Sequence, residues 1–139
     1  RDLQKCDRQW SRAKGFDTFA PVGPWIETEL DPNNVMIESY LNGELRQQSS
    51  TSDMIFDVAR TIALLSEAVL FEPGDVIAMG TPSGIGHARK PQRYLKPGEV
   101  CRDGIEGLGE IANPIQDDPG DESAPEYVGS NSAYLHIGG

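Results

Sequence analysis

The sequence predicts a mostly β or α+β domain with one main helix, and three observations lead to that expectation. An Asn-Gly dipeptide separates two segments that are suited to paired strands. A single segment shows a sustained helical periodicity of apolar residues. Short apolar runs elsewhere follow Pro-Gly turns, which is typical of short strands joined by tight connections.

A β-hairpin is predicted from residues 35–41 and 44–49, which flank Asn42-Gly43. Asn-Gly readily adopts the positive φ angles of a two-residue type I′ turn, and the twist of that turn matches the twist of paired strands. We therefore expect the two segments to form antiparallel neighbours in a sheet.

The main helix is predicted over residues 53–70, where apolar residues recur every three or four positions. Such spacing places them on one helical face; they are Ile55, Val58, Ile62, Leu65 and Val69. Ser52 precedes the pattern as a candidate N-cap, and Asp53 would lie at the positive end of the helix dipole. The helix should begin at this pair.

Further short strands are expected after each of two Pro-Gly turns. Pro73-Gly74 leads into the apolar run 76–79, which has the length of a buried strand. Pro97-Gly98 precedes Val100, from which strands interrupted by Gly104, Gly107 and Gly109 are expected. Glycine within a strand marks a bend or bulge, so a curved sheet is predicted around the single helix.

Length, charge and cysteine content limit the function. The 139 residues suit one domain, because domains usually contain roughly 100–200 residues. A net charge of −10 disfavours a nucleic-acid partner, which would require clustered Lys and Arg. No apolar run approaches the roughly 20 residues of a membrane span, so we expect no membrane contact. Cys6 and Cys101 lack CxxC spacing, and we expect free thiols in a cytoplasmic protein.

The two ends of the chain differ in composition. Residues 117–139 contain five acids, no Lys or Arg, and many Gly, Ser and Pro residues. Such a segment cannot bury enough apolar area to offset an ordering cost of about 1–2 kcal/mol per residue. We therefore predict a folded region over residues 1–116 and an acidic disordered tail over 117–139. The opening Arg1-Asp2-Leu3-Gln4 lacks an initiating Met, and we expect it to begin inside a fold.

Few residues stand out as chemical groups. Lys14 precedes Gly15 and Phe16 and could direct its ammonium into a pocket, although a lysine is more often a solvated surface residue. Gln4 could donate and accept hydrogen bonds to a ligand or lie on the surface. The loop 80–86, Gly-Thr-Pro-Ser-Gly-Ile-Gly, could bind an anion through backbone N–H groups and the Thr81 hydroxyl, or form a plain turn.

Other candidate sites have little support in the sequence. His87 and His136 are too far apart to suggest a metal pair, and Ser83 lacks the Gly-x-Ser-x-Gly spacing of a nucleophile elbow. Turn, cap or exposed-face roles account for three acids that could be proposed as metal ligands: Glu44, Asp53 and Asp57. We assign no metal ligand in this chain.

Seven ordered segments together resemble the C-terminal half of the fumarylacetoacetate hydrolase family, over about residues 1–115. They are 1–4, 9–25, 42–47, 51–56, 73–77, 80–86 and 105–109. The subgroup that they resemble most includes 2-hydroxyhepta-2,4-diene-1,7-dioate isomerases and fumarylpyruvate hydrolases. The resemblance implies part of that family's mixed β roll and a cytoplasmic homodimer. It also implies a metal-dependent hydrolase, isomerase or decarboxylase of 2-oxo (enol) dicarboxylic acids.

The resemblance also implies roles for three residues. Lys14 matches the family lysine that contacts substrate oxygens, where a fixed cation would stabilise an enolate. Gln4 matches the glutamine that follows the family's Arg-Asp pair, and Thr81 matches a threonine that hydrogen-bonds a substrate carboxylate. Lys14 is therefore expected to be catalytic, and all three residues are expected to bind the substrate.

The chain departs from the family pattern at the metal. Family members hold Mg2+ or Mn2+ with a Glu-x-Glu pair and an Asp, and all three positions precede the one that Arg1 matches. We therefore expect an N-terminally truncated chain that binds no metal alone and is inactive alone. Residues 100–104 also depart from the family's alternating apolar strand. Two functions stay open: part of an enzyme, or a non-catalytic product that acts as an interaction module.

Overall fold

The computed structural model describes residues 1–117, which fall into two compact units. Arg1–Val22 belong to the first unit, and Gly23–Asp117 form the second. The predicted tail lies outside the described residues, except for Asp117. The mostly β or α+β class is confirmed, because one antiparallel sheet dominates the second unit and the helices are short.

Four strands form the sheet in the order β2-β1-β3-β4. They are β1 (Met36–Leu41), β2 (Glu44–Ser50), β3 (Val100–Ile105) and β4 (Gly109–Pro114). All neighbouring pairs are antiparallel. Strand β1 therefore lies inside the sheet, between its hairpin partner and a strand about 60 residues later in the chain, while β2 lies at one edge.

The predicted hairpin is confirmed. Asn42 and Gly43 have φ angles of 52° and 82°, as a type I′ turn requires. The register then shifts by one residue, since Tyr40 pairs with Leu45 but Ser39 pairs with Gln47. Arg46 is thus the extra residue of a β-bulge in β2. Nothing in the hydrophobic pattern of this strand predicted the bulge.

The second hairpin joins β3 to β4 through the predicted glycines. Gly107 and Gly109 adopt positive φ angles of 78° and 103° at the turn. Gly104 does not interrupt a strand as expected, because it lies inside β3 and pairs with both Glu38 and Glu110. Residues 100–104, which depart from the family pattern, therefore still form a paired strand.

The helices are shorter than the sequence suggested. They are α1 (Asp2–Cys6), α2 (Ser11–Lys14) and α3 (Val58–Ser66), with 3-10 turns at Thr51–Asp53 and Gly86–Ala88. The prediction of a helix over 53–70 was wrong at both ends. Ser52 belongs to the 3-10 turn, and Asp57 caps α3 by accepting a 2.7 Å hydrogen bond from the Arg60 N–H. None of the helices in this part of the chain has the length and apolar character to span a membrane.

The expected strand over residues 76–79 is also absent. This run has no regular secondary structure and joins no ladder within residues 1–117, and Val76 is 75% exposed. An apolar β-branched run becomes a strand only where a partner strand satisfies its backbone. No such partner lies beside it in the described sheet.

The core of the second unit is small. Val35 and Leu41 are the buried apolar residues of the described chain; Val35 immediately precedes β1 and Leu41 is its last residue. Three large apolar side chains elsewhere are almost fully exposed: Ile26 at 90%, Ile55 at 92% and Leu70 at 85%. The sheet is therefore held largely by its backbone ladder and by polar contacts at the strand ends.

Glu99 is the buried acid of this region and connects three segments. Its carboxylate accepts a 2.8 Å hydrogen bond from the Lys96 N–H, a contact from the Arg93 guanidinium, and a 3.4 Å contact from the Asn42 amide. Burial alone would raise the pKa of Glu99. The hydrogen bonds from Arg93 and Lys96 outweigh burial, so the pKa is lowered below its usual value.

This shift predicts a pH-dependent contribution to stability. A carboxyl whose pKa is lowered by folding stabilises the protein above its unfolded-state pKa, about 4.3, and loses that contribution as pH falls through the folded-state value. We expect Glu99→Gln to lower the free energy of unfolding at pH 7 and to have progressively less effect below about pH 4.3. Urea unfolding at several pH values measures this. The exposed Glu72→Gln is the control, and an equal loss in both variants would contradict the assignment.

Candidate functional site

The glycine-rich loop 80–86 carries Thr81 on its exposed side. Gly80 and Gly84 have φ angles of 108° and 104°, which L-residues rarely adopt. The loop runs beside β2, and side chains from two different segments hold it there. The conformation of Thr81 is therefore set by contacts distant in sequence.

Gln47 of β2 provides the first set of contacts. Its Nε2 donates to Thr81 Oγ1 at 3.0 Å and to the Pro82 carbonyl at 2.8 Å, and it lies 3.3 Å from the Ser83 carbonyl. Two of these three acceptors are carbonyl oxygens, so the atom that faces them has to be the amide nitrogen. Gln47 lies in the segment 42–47 that resembles the family, but no sequence feature assigned it a role.

Arg89 provides the second set of contacts. Its Nε donates to the Gly84 carbonyl at 3.1 Å, and its terminal nitrogen donates to the Arg46 carbonyl at 3.0 Å. Both contacts are partly buried. One guanidinium thus joins the loop backbone to the bulge of the edge strand, and this residue too was missed from the sequence.

Two glycines are needed for close approach of the backbone. A Cβ at Gly84 would overlap the Arg46 carbonyl oxygen, and a Cβ at Gly86 would overlap the Arg93 carbonyl oxygen. The Gly86 carbonyl also accepts from the Arg93 N–H at 3.0 Å. The glycines therefore permit close backbone packing as well as positive φ angles.

His87 follows the loop and joins a small polar cluster. Its Nδ1 lies 2.8 Å from the Tyr94 hydroxyl and 3.3 Å from the Gln92 amide nitrogen, and the Tyr94 hydroxyl donates to Gln92 Oε1 at 3.1 Å. These contacts fasten the segment after the loop. His136 lies outside the described residues.

Gln4 and Lys14 belong to the first unit, whereas Thr81 belongs to the second. Gln4 is half-buried in α1, and its Oε1 accepts a 2.7 Å hydrogen bond from the Arg1 guanidinium. Lys14 is the last residue of α2, and its exposed ammonium lies 5.6 Å from the centre of the Trp10 ring. A cation at that distance is attracted by the ring face, which limits the positions of the ammonium.

No three His, Cys, Asp or Glu side chains within residues 1–117 are grouped closely enough to hold a metal ion. The acids weighed as ligands have structural contacts. Glu44 pairs with Arg46 at 2.5 Å, Asp53 accepts from the Ser49 hydroxyl at 2.7 Å, and Asp57 caps α3. The donor set of this part of the chain therefore does not fit a divalent cation.

A shallow depression of about 580 Å³ lies along the sheet. Three glutamates line it, and each has a partner: Glu38 contacts Tyr40 and Gln48, Glu106 contacts the Met36 N–H, and Glu110 contacts Arg102. Because these carboxylates are engaged, the depression offers weaker chemistry than the loop around Thr81.

The sheet, the glycine-rich loop and the ordered segments define a C-terminal domain of one enzyme family. Residues 1–116 match the family described as fumarylacetoacetate hydrolase C-terminal, and the chain belongs to that family. The resemblance and the roll-type fold inferred from the sequence are thereby confirmed.

The chain is similar to several proteins of this family. It is 44% identical over 116 residues to a mitochondrial oxaloacetate tautomerase of Xenopus laevis, covering 81% of this chain and 36% of that protein. A fumarylacetoacetate hydrolase structure from Exiguobacterium antarcticum superposes with a TM-score of 0.80 at 47% identity, covering 84% and 43%. A 2-hydroxyhepta-2,4-diene-1,7-dioate isomerase from Mycobacterium marinum gives 0.75 at 41%, covering 84% and 43%. The chain spans less than half the length of the curated relatives it matches.

The packing at Gly84 yields a testable expectation. Gly84→Ala and Gly74→Ala both place a methyl group at a φ of 104°, which costs about 1–3 kcal/mol. Only the first also meets neighbouring atoms, since a Cβ at Gly74 has open space. We expect Gly84→Ala to lower the free energy of unfolding by about 1–3 kcal/mol more than Gly74→Ala. Urea unfolding compares them, and equal losses would show that the loop is not packed against β2.

Proposed function

We propose that this chain forms the substrate-carboxylate side of an enzyme that acts on 2-oxo (enol) dicarboxylic acids. The observation that carries the proposal is the loop 80–86, whose backbone is fixed by Gln47 and Arg89 while Thr81 stays exposed. A fixed glycine-rich turn with an accessible hydroxyl is suited to bind an anion such as a carboxylate. The hydrogen-bond donors of the loop then need no rearrangement when the anion binds. The names of an oxaloacetate tautomerase and a dioate isomerase among the relatives support the dicarboxylate class.

Lys14 supplies the cation in this proposal. Removing a proton next to a 2-oxo group, or breaking a C–C bond beside it, leaves negative charge on an enolate oxygen. A nearby ammonium stabilises that charge more than it stabilises the neutral ketone, and this difference lowers the barrier. The Trp10 ring holds the ammonium at the end of α2 without neutralising it. Gln4 offers an amide that could contact the same substrate oxygens.

A divalent cation enters this proposal only as a partner held by other residues. Mg2+ or Mn2+ prefers several oxygen ligands, and residues 1–117 do not group three suitable side chains. We therefore propose that this chain alone binds no metal and is inactive alone, and we assign it no step through the metal. In an active family enzyme these residues bind and orient the substrate.

A second candidate function is a non-catalytic interaction module. The exposed apolar side chains favour it, since Ile26, Ile55 and Leu70 would lose contact with water in an assembly. A cytoplasmic homodimer is compatible with both candidate functions. The effect of replacing Lys14 in an active family enzyme distinguishes the two: a large loss of kcat supports the enzyme, and no loss supports the module.

Lys14→Met tests the catalytic role. In an active family enzyme that carries these residues, we expect a fall of about 100- to 1000-fold in kcat for oxaloacetate tautomerisation, the range for losing one preorganised donor. The control is Lys90→Met, which removes the same charge from another exposed position. Both kcat and KM need measuring, since an ammonium that also binds the ground state raises KM. Near-parental kcat in a folded Lys14→Met enzyme would make Lys14 an ordinary surface residue.

Metal titration tests the proposal that this chain alone does not bind a divalent cation. We expect isothermal titration of this chain with MgCl2 or MnCl2 to give no saturable heat up to millimolar metal, because no three ligands are grouped. Saturable binding near micromolar concentration would contradict the proposal. It would also require ligands that the described residues do not reveal.

A further inference from the structure

The bulge in β2 determines which side chain faces the loop 80–86. In the register set by the hairpin turn, Leu41 pairs with Glu44 and Tyr40 with Leu45, so regular pairing would bring Arg46 opposite Ser39. The extra residue moves Gln47 into that place instead. Arg46 and Gln47 are both half-buried, although consecutive residues of a regular strand face opposite sides. The bulge therefore redirects Gln47, as bulges often redirect side chains.

The contact between Gln47 and Thr81 has a direction. Because Nε2 donates to Thr81 Oγ1, it occupies a lone pair of that oxygen. The hydroxyl hydrogen cannot point back at the amide, which has only hydrogens to offer on that side. The Thr81 O–H is thus left to donate to an acceptor outside this contact. A carboxylate is such an acceptor, and a hydrogen bond to a charged group is stronger than a neutral one.

The same amide fixes the loop backbone. Its two hydrogens are used by Thr81 Oγ1 and the Pro82 carbonyl, and the Ser83 carbonyl lies 3.3 Å from the same nitrogen, so one side chain anchors the loop at consecutive residues. Arg89 reinforces this arrangement by joining the Gly84 carbonyl to the carbonyl of the bulged Arg46. The loop and the bulge are therefore one connected polar unit.

We propose that Gln47 is a positioning residue, held by the bulge, which polarises Thr81 so that its hydroxyl donates to a substrate carboxylate. This inference rests on the proposed function and adds to it a residue that does not touch the substrate. Gln47 acts through Thr81, so its removal weakens carboxylate binding more than it slows the chemistry. The expected signature is a change in KM with little change in kcat.

The experiment compares Gln47→Leu with Gln48→Leu in an active family enzyme that carries these residues, with oxaloacetate as substrate. Gln48 is the matched control because it is the next residue of β2 and contacts Glu38 rather than the loop. We expect Gln47→Leu to raise KM about 10- to 100-fold with kcat within about threefold, and Gln48→Leu to leave both near parental values. In a Thr81→Val background, Gln47→Leu should add less than about twofold, since the two residues act as a unit.

Hydrogen exchange provides a readout that needs no turnover. The amides of Ala88 and Arg89, which donate to the Ile85 and Gly86 carbonyls of the loop, should exchange faster in Gln47→Leu than in the parent or in Gln48→Leu, because the loop loses its anchor. If Gln47→Leu does not fold, Gln47→Glu replaces it, since a carboxylate of the same size cannot donate to the loop carbonyls. Unchanged loop exchange, or an undiminished effect of Gln47→Leu in the Thr81→Val background, would overturn the inference. If the exchange results are as expected but the parent enzyme does not turn over oxaloacetate, the role of Gln47 in holding the loop stands and the proposed function is refuted.

Discussion

Asn42 is the residue on which the described sheet depends. It occupies the first position of the type I′ turn and so sets the register between β1 and β2. Its backbone N–H donates to the Val100 carbonyl at 2.9 Å, and its side-chain oxygen accepts from the Val100 N–H at 2.9 Å. Its amide nitrogen contacts Glu99. One residue thus fixes a local turn and joins it to a strand more than 50 residues away.

This connection explains how so small a core can support a sheet. With only Val35 and Leu41 buried among the described apolar residues, hydrophobic burial contributes less than in a compact domain of similar size. Directional polar contacts specify the arrangement instead. The side chains of Asn42 and Glu99 connect β1, β3 and the segment between Arg93 and Lys96, while Gln47 and Arg89 connect β2 to the loop.

The features that the sequence predicted correctly are those that depend on neighbouring residues. The Asn42-Gly43 turn is encoded by two residues and needs no distant partner. Ser52 and Asp57 are both good capping residues, so periodicity alone could not determine at which of them the helix begins. The 3-10 turn at Thr51–Asp53 includes Ser52, and α3 begins after Asp57. The run 76–79 failed as a strand because strand formation depends on a partner far along the chain.

The candidate site divides in the same way. Family resemblance pointed to Gln4, Lys14 and Thr81, whose roles stay predictions. Gln47 and Arg89 could not be found from local pattern, because their acceptors lie between 5 and 43 residues away and depend on the bulge at Arg46. A bulge is one extra residue in one strand relative to its partner, so it cannot be predicted from the sequence of either strand alone.

The exposed apolar side chains and the net negative charge together make the association of copies of this chain dependent on ionic strength. A net charge of −10 makes copies of the chain repel one another, and this repulsion opposes contact between surfaces that carry Ile26, Ile55 and Leu70. Salt shortens the range of that repulsion from about 10 Å at 0.1 M to about 3 Å at 1 M, while apolar attraction persists. We therefore expect dilute buffer to oppose contact between copies of the chain and concentrated salt to favour contact between their apolar surfaces.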